Sequence, residues 1–181
     1  MSKLLILSAG VSKESNNTKL AKKLNDFLNE KNISCEIHKN LYENIPFLLD
    51  NQDEVPKKII DMRKSLENSN KILIFSPVYN GGFLAHLKNT LDWLSLAYED
   101  NRYNFLFKEK TVGVVTSVKG AGGNAEKAFN ILSSQLLNYG LNVFNEFHLI
   151  TKKDHQDEVA IEENVKVFED IKKFVFKFLD F

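Results

Sequence analysis

The sequence predicts a doubly wound α/β domain: a three-layer fold with five parallel strands in the order 2-1-3-4-5 and helices on both faces. Three observations carry that prediction. Short apolar runs alternate with segments whose apolar residues recur at helical spacing, as βαβαβαβαβα. The runs themselves, such as Leu4-Leu5-Ile6-Leu7 and Ile72-Leu73-Ile74-Phe75, are apolar without alternation, as strands covered on both faces require. No linker, repeat or low-complexity insert interrupts the pattern, so residues 1–181 read as one domain. Right-handed crossovers then place the reversal of winding between strands one and three, where open α/β sheets bind ligands.

Lys3 to Leu7 forms the first strand, with Ser8 at its end, and Ala9 to Asn16 is a polar loop. Leu20, Leu24, Phe27 and Leu28 share one helical face that ends near Lys31-Asn32. Ile33 to Ile37 is the second strand. Asn40 to Val55 is an irregular connection with apolar residues around Pro46 and room for a short helical turn. Pro56 suits the first position of a helix that buries part of Ile59, Ile60, Met62 and Leu66. Lys71 to Phe75 is the third strand, and Pro77 ends it by removing a ladder donor. Asn80-Gly81-Gly82 permits a tight turn with positive φ, and Leu84, Leu87, Leu91 and Leu94 continue at helical spacing.

Ser95 to Glu109 is a long segment carrying Tyr98, Tyr103, Phe105 and Phe107. Thr111 to Thr116 is the fourth strand, and Lys119 to Gly123 a flexible loop. Ala125, Ala128, Phe129, Leu132, Leu136 and Tyr139 predict a helix closed by Gly140 at C′. Leu141 to Leu149 is the fifth strand. His155 to Asp157 leads into a last helix with Ile161, Val165, Phe168, Ile171, Val175 and Phe178 on one face.

Composition removes several function classes. Hydrophobic residues make up 43%, which argues against disorder. With 24 basic and 24 acidic residues, no net charge draws the chain to nucleic acid or membrane. Only Arg63 and Arg102 are arginine, the usual reader of bases. Cys35 is the single cysteine, so a disulfide framework is excluded within one chain and a reducing, cytoplasmic setting is expected. Leu4 to Leu7 is too short an apolar run for a signal peptide or a membrane span. His38, His86, His148 and His155 fall in different elements, which gives no zinc-ligand spacing.

Three loops leave the carboxyl ends of strands one, three and four. The first, Ser8 to Thr18, is hydroxyl-rich and opens a helix, whose free amides suit a phosphate. Ser15 or Asn17 there is equally a helix cap that needs no ligand. Gly10 is its only glycine, so it is neither a dinucleotide fingerprint nor a P-loop. The second, Pro77-Val78-Tyr79-Asn80-Gly81-Gly82, is also explained as an ordinary strand-to-helix turn. The third, Ser117 to Gly123, has glycines that allow close approach to a flat ligand, or simple mobility.

The second loop, followed by Lys88-Asn89-Thr90-Leu91-Asp92-Trp93, resembles the P-x-Y-N-[GS] loop and K-N-x-x-D-W helix of the NAD(P)H-dependent FMN reductases. The first loop resembles that family's G-S-x-R-x-x-S-x-N phosphate loop, with Ser15 and Asn17 at its S-x-N ending. Ala9-Gly10 stand in place of G-S, and Ser12 in place of the arginine, which leaves Lys13 as the nearest cation. Ser117, Gly120 and Gly123 match S-x-x-G-x-x-G. The likeness extends over roughly residues 1–145.

The resemblance implies a flavodoxin-like fold and an oxidoreductase that uses FMN, with NADPH or NADH as co-substrate and a small-molecule electron acceptor. It implies that Gly10, Ser12, Ser15, Asn17 and Thr18 hold the phosphate. Pro77, Val78, Tyr79, Asn80 and Gly81 would line the ring, and Ser117, Gly120 and Gly123 would close the far edge. It also implies a homodimer or a tetramer made of dimers. No general acid or base is nominated, because the chemistry belongs to the cofactor, and Asp92 reads as structural. Two alternatives stand beside this. A flavodoxin-like FMN electron carrier is opposed by the balanced charge and by the absence of a T-x-T-G-x-T loop. A non-catalytic flavin-binding relative is kept open by the missing arginine.

Overall fold

A computed structural model describes residues 3–50, 54–155 and 159–181. Five parallel strands form one sheet: β1 (Lys3–Ser8), β2 (Cys35–His38), β3 (Ser69–Phe75), β4 (Thr111–Ser117) and β5 (Asn142–Ile150). Their order is 2-1-3-4-5, as expected. The helices between them are α1 (Asn16–Glu30), α2 (Lys57–Glu67), α3 (Ala85–Ser95) and α4 (Ala125–Asn138), and α5 (Val165–Asp180) ends the chain.

Strand side chains alternate between two cores. Leu5, Leu7, Ile72, Ile74, Val112 and Val114 pack with α2, α3 and α4. Leu4, Ile6, Leu73, Phe75 and Val115 pack with α1 and α5. Covering both faces explains why the strands read as unbroken apolar runs. At about 25 cal/mol per Å2 of apolar area, these two layers supply most of the drive to fold.

Several local devices follow from particular residues. Asn80 (φ 52°) and Gly81 (φ 76°) form a two-residue turn in which Tyr79 and Gly82 exchange backbone hydrogen bonds of 3.1 and 3.0 Å. Positive φ at both central positions is the reason Asn-Gly stands there. Gly140 (φ 88°) ends α4 in a Schellman motif: its amide donates to the Leu137 carbonyl and the Leu141 amide to the Leu136 carbonyl. Asn164 caps α5 by accepting the Val167 amide.

Other expectations shift. Pro56 is the N-cap of α2, one place before the expected position, and Ile60 on that helix is exposed. The connection from Asn40 holds no helical turn among its described residues; residues 51–53 lie outside them. Ile161 sits in a short 3-10 turn and Val165 is exposed, because the Asn164 cap starts α5 later than the spacing suggested. Gln156 and Asp157, part of the expected lead-in, lie outside the described residues.

The Lys88-to-Trp93 segment of α3 is a clamp. Asn89 Nδ2 donates to the Pro46 carbonyl at 2.9 Å, and its Oδ1 accepts the Leu48 amide at 2.9 Å. Trp93 Nε1 donates to the same Pro46 carbonyl at 2.8 Å. Asp92 pairs with Lys88 one turn away and accepts the Tyr139 hydroxyl at 2.6 Å, which ties α3 to the end of α4. Asp92 is therefore held as a structural acceptor. The Asn89→Ala substitution should lower the unfolding free energy by about 1–3 kcal/mol in urea denaturation, since it strands the Leu48 amide and leaves the Pro46 carbonyl with Trp93 as its remaining donor. A loss below about 0.5 kcal/mol would mean that packing alone seats the loop.

Candidate functional site

The loops after β1, β3 and β4 meet at one edge of the sheet and enclose a crevice of about 650 Å3. Its walls are residues 11, 12 and 14–17, residues 77–81 and residues 117–125. The volume is that of a small-molecule site. A larger concavity of about 840 Å3 runs along α1, lined mostly by charged side chains of both signs, such as Lys22, Asp26 and Lys39. The three-loop crevice is the better candidate, because it alone combines loop amides, glycines and an unpaired buried hydroxyl.

Every residue nominated from the sequence lines this crevice except Gly10 and Thr18. Gly10 is buried behind the loop: a Cβ there would overlap Ser15 Oγ and Thr18 Oγ1. The Thr18 hydroxyl is held between Ser8 Oγ, Ser15 Oγ and the Ser12 carbonyl, at 3.2–3.3 Å. Both residues shape the turn from within. Asn17 borders the crevice, yet its amide side chain is bonded to the Ser117 backbone, at 2.9 Å to the carbonyl and 3.0 Å from the amide. Ser15 caps α1 by accepting the Thr18 amide at 3.2 Å. Lys13 faces the neighbouring concavity along α1.

The donors left for a ligand are mostly backbone. The amides of Asn16 and Asn17 open α1, where helix geometry provides no acceptor. Those of Val78, Asn80 and Gly81 have no acceptor among the described residues. Ser117 Oγ is buried and without a partner, and buried hydroxyls are seldom left so. A Cβ at Gly120 or Gly123 would meet nothing within 4 Å, so the third wall is open toward the crevice.

Among the wall residues that the sequence reading did not nominate, Gly122 and Asn124 stand out. Gly122 (φ 79°) is fixed by Thr151 Cγ2, which a Cβ would approach to 3.0 Å. Asn124 stands at the N-cap of α4 without capping it, and its side chain lies beside Gly81. An asparagine before a helix reads as a cap, which hid its availability.

Among the described residues, Glu14, Tyr79 and Lys119 are the titratable side chains of the crevice wall. Burial pushes the Cys35 thiol up to about 12, so it stays protonated and inert. His86 Nε2 donates to the Ala9 carbonyl at 3.0 Å, and burial lowers its pKa below the ordinary imidazole value. Among the described residues no cluster of three or more His, Cys, Asp or Glu side chains is placed to hold a metal. None of their helices is long and apolar enough to cross a membrane.

A family model described as NADPH-dependent FMN reductase matches residues 2–156. A Mycoplasma pneumoniae protein described as an uncharacterized homolog of MG342 is 28% identical over 144 residues, covering 78% of this chain and 82% of that protein. Among solved structures, FerB, a flavoenzyme NAD(P)H:(acceptor) oxidoreductase from Paracoccus denitrificans, superposes with a TM-score of 0.79 at 22% identity, over 99% of this chain and 96% of its own. An NAD(P)H:quinone oxidoreductase from Methanothermobacter marburgensis gives 0.69 at 17% identity, over 97% and 96%. At those identities the likeness shows the fold, which is flavodoxin-like.

Gly10→Ala should force either the Ser15 cap to break or the loop to shift. The expected cost is about 1–3 kcal/mol of stability, read by thermal unfolding. An unchanged melting temperature would show that the turn tolerates a side chain at this position.

Proposed function

The chain belongs to the NADPH-dependent FMN reductase family, and from that premise we propose that the three-loop crevice binds FMN and reduces a small acceptor with electrons from a reduced nicotinamide. The observation that carries the proposal is the crevice wall itself: unpaired loop amides, glycine gaps and the orphaned Ser117 hydroxyl at one sheet edge. These groups fit a flavin phosphate at one end and a flat, polar-edged ring at the other.

Ser12 and Ser15, with the amides of Asn16 and Asn17, would hold the phosphate against the positive end of α1. Residues 77–81 would lie along the ring and offer the amides of Val78, Asn80 and Gly81 to its polar edge. The Asn-Gly turn fixes those amides before any ligand arrives, so they cost little to reorganise. Ser117 Oγ, with Gly120 and Gly123, would close the far side. Hydride acceptance at N5 and onward delivery of electrons to a quinone, azo compound, free flavin or metal oxyanion is the chemistry that FMN supplies when bound. The protein contributes orientation, fixed dipoles and a sheltered wall. Tyr79, with its side chain half exposed beside the crevice, is placed to bound the acceptor's approach.

Two wider assignments belong to the same reading. A reduced nicotinamide donor and a protonated Cys35 thiol suit the cytoplasm. Phe47 and Leu49 beside α3, with Ile131 and Leu137 on α4, expose apolar surface on one layer, which suits a homodimer or a tetramer built from it. A monomer in sedimentation at working concentration would remove that assignment.

The function is tested by titrating the purified protein with FMN and then adding NADPH or NADH without oxygen. Saturable binding followed by bleaching of the visible flavin band is expected. Bound flavin that neither nucleotide reduces would favour an electron carrier, and no binding would refute the proposal. Ser117→Ala should weaken FMN binding by about two- to tenfold while leaving the apoprotein as stable or more so, because an unsatisfied hydroxyl is removed. Unchanged affinity would place the flavin away from Ser117.

A further inference from the structure

One side chain joins the turn that opens α1 to the end of β4. Asn17 is only 3% exposed, and its amide is bonded at both atoms to the backbone of Ser117, 100 residues away. The bond pair spans β3, which lies between β1 and β4 in the sheet. Among the described residues, no other hydrogen bond joins residues 9–18 to residues 117–124. The residue it grips, Ser117, borders the crevice and carries a buried hydroxyl without a partner.

We propose that Asn17 is a positioning residue: it sets the distance between the phosphate end and the far wall of the crevice, and its side chain does not itself bind phosphate. This rests on the FMN reading above. The S-x-N pattern suggests a phosphate ligand, but an amide buried this deeply and bonded at oxygen and nitrogen has its main donor and acceptor committed. Removing it would leave a buried N–H and C=O of Ser117 without partners, at the point where β4 leaves the sheet. The glycine loop that follows has few bonds of its own to restore the geometry. The Val118 amide to the Ile150 carbonyl and the Lys152 amide to the Gly120 carbonyl fix it on its outer side only.

The two roles differ in which part of the ligand they affect. A phosphate ligand matters for FMN and is irrelevant to riboflavin, which has no phosphate. A residue that spans the crevice affects both ligands alike. Apoprotein of the wild type and of Asn17→Ala is therefore titrated with FMN and with riboflavin by flavin fluorescence, and each apoprotein is melted. Both dissociation constants should rise in parallel by about tenfold, with their ratio kept within about twofold. A loss confined to FMN would make Asn17 a phosphate ligand. A lower melting temperature with both constants unchanged would make the bond pair a stability feature alone. Either result overturns the proposal. If Asn17→Ala does not fold, Asn17→Ser, whose hydroxyl can keep one bond, should show a smaller parallel rise and is read by the same criteria. A wild type that binds neither ligand would instead overturn the flavin reading, so the two failures are distinguishable.

Discussion

Strands that all run one way send every strand-to-helix loop off the same edge, and the rest of the site depends on that constraint. The sheet order 2-1-3-4-5 places β3 between β1 and β4, so the loops after these three strands are neighbours despite their distance in sequence. The helices after β1 and β3 then leave by opposite faces, with α1 against one core and α3 against the other. Two loops that part in this way leave a gap between them, and a gap lined by free amides attracts a polar ligand. The pair of bonds between Asn17 and Ser117 sets how wide that gap can be.

Much of the sequence signal around this edge turns out to support the fold. The Lys88-to-Trp93 segment has no side chain in the crevice wall. Asn89 and Trp93 instead seat the Pro46–Leu48 connection, and Asp92 joins Lys88 to Tyr139. This fixes α3, and a fixed α3 fixes the Asn-Gly turn that precedes it. Gly10 and Thr18 act in the same way on the first turn of α1. A pattern shared with a family of flavin enzymes thus marks residues that shape the binding loops as well as residues that line them.

The fold was legible because its signals are redundant. Unbroken apolar strands, helical spacing and Gly140 each point to the same alternation, and a shift of one residue at Pro56, or of about a turn where α5 begins, changes nothing beyond an element's end. The site was legible as three loops, since glycine, proline and asparagine mark loops through their backbone preferences. Individual roles were harder to read. Whether an asparagine caps a helix, binds a ligand or joins two loops depends on what lies across the fold. Asn17 meets Ser117, while Asn124 caps nothing and is left facing the crevice. No local spacing distinguishes these cases, because the deciding partner is distant in sequence.

Amide hydrogen exchange with and without FMN tests most directly whether one ligand engages all three loops. Exchange should slow together in residues 11–18, 77–82 and 117–124, because each segment contributes a wall of one crevice. Slowing in a single loop, or along the charged face of α1 around Lys22 and Lys39, would contradict the account.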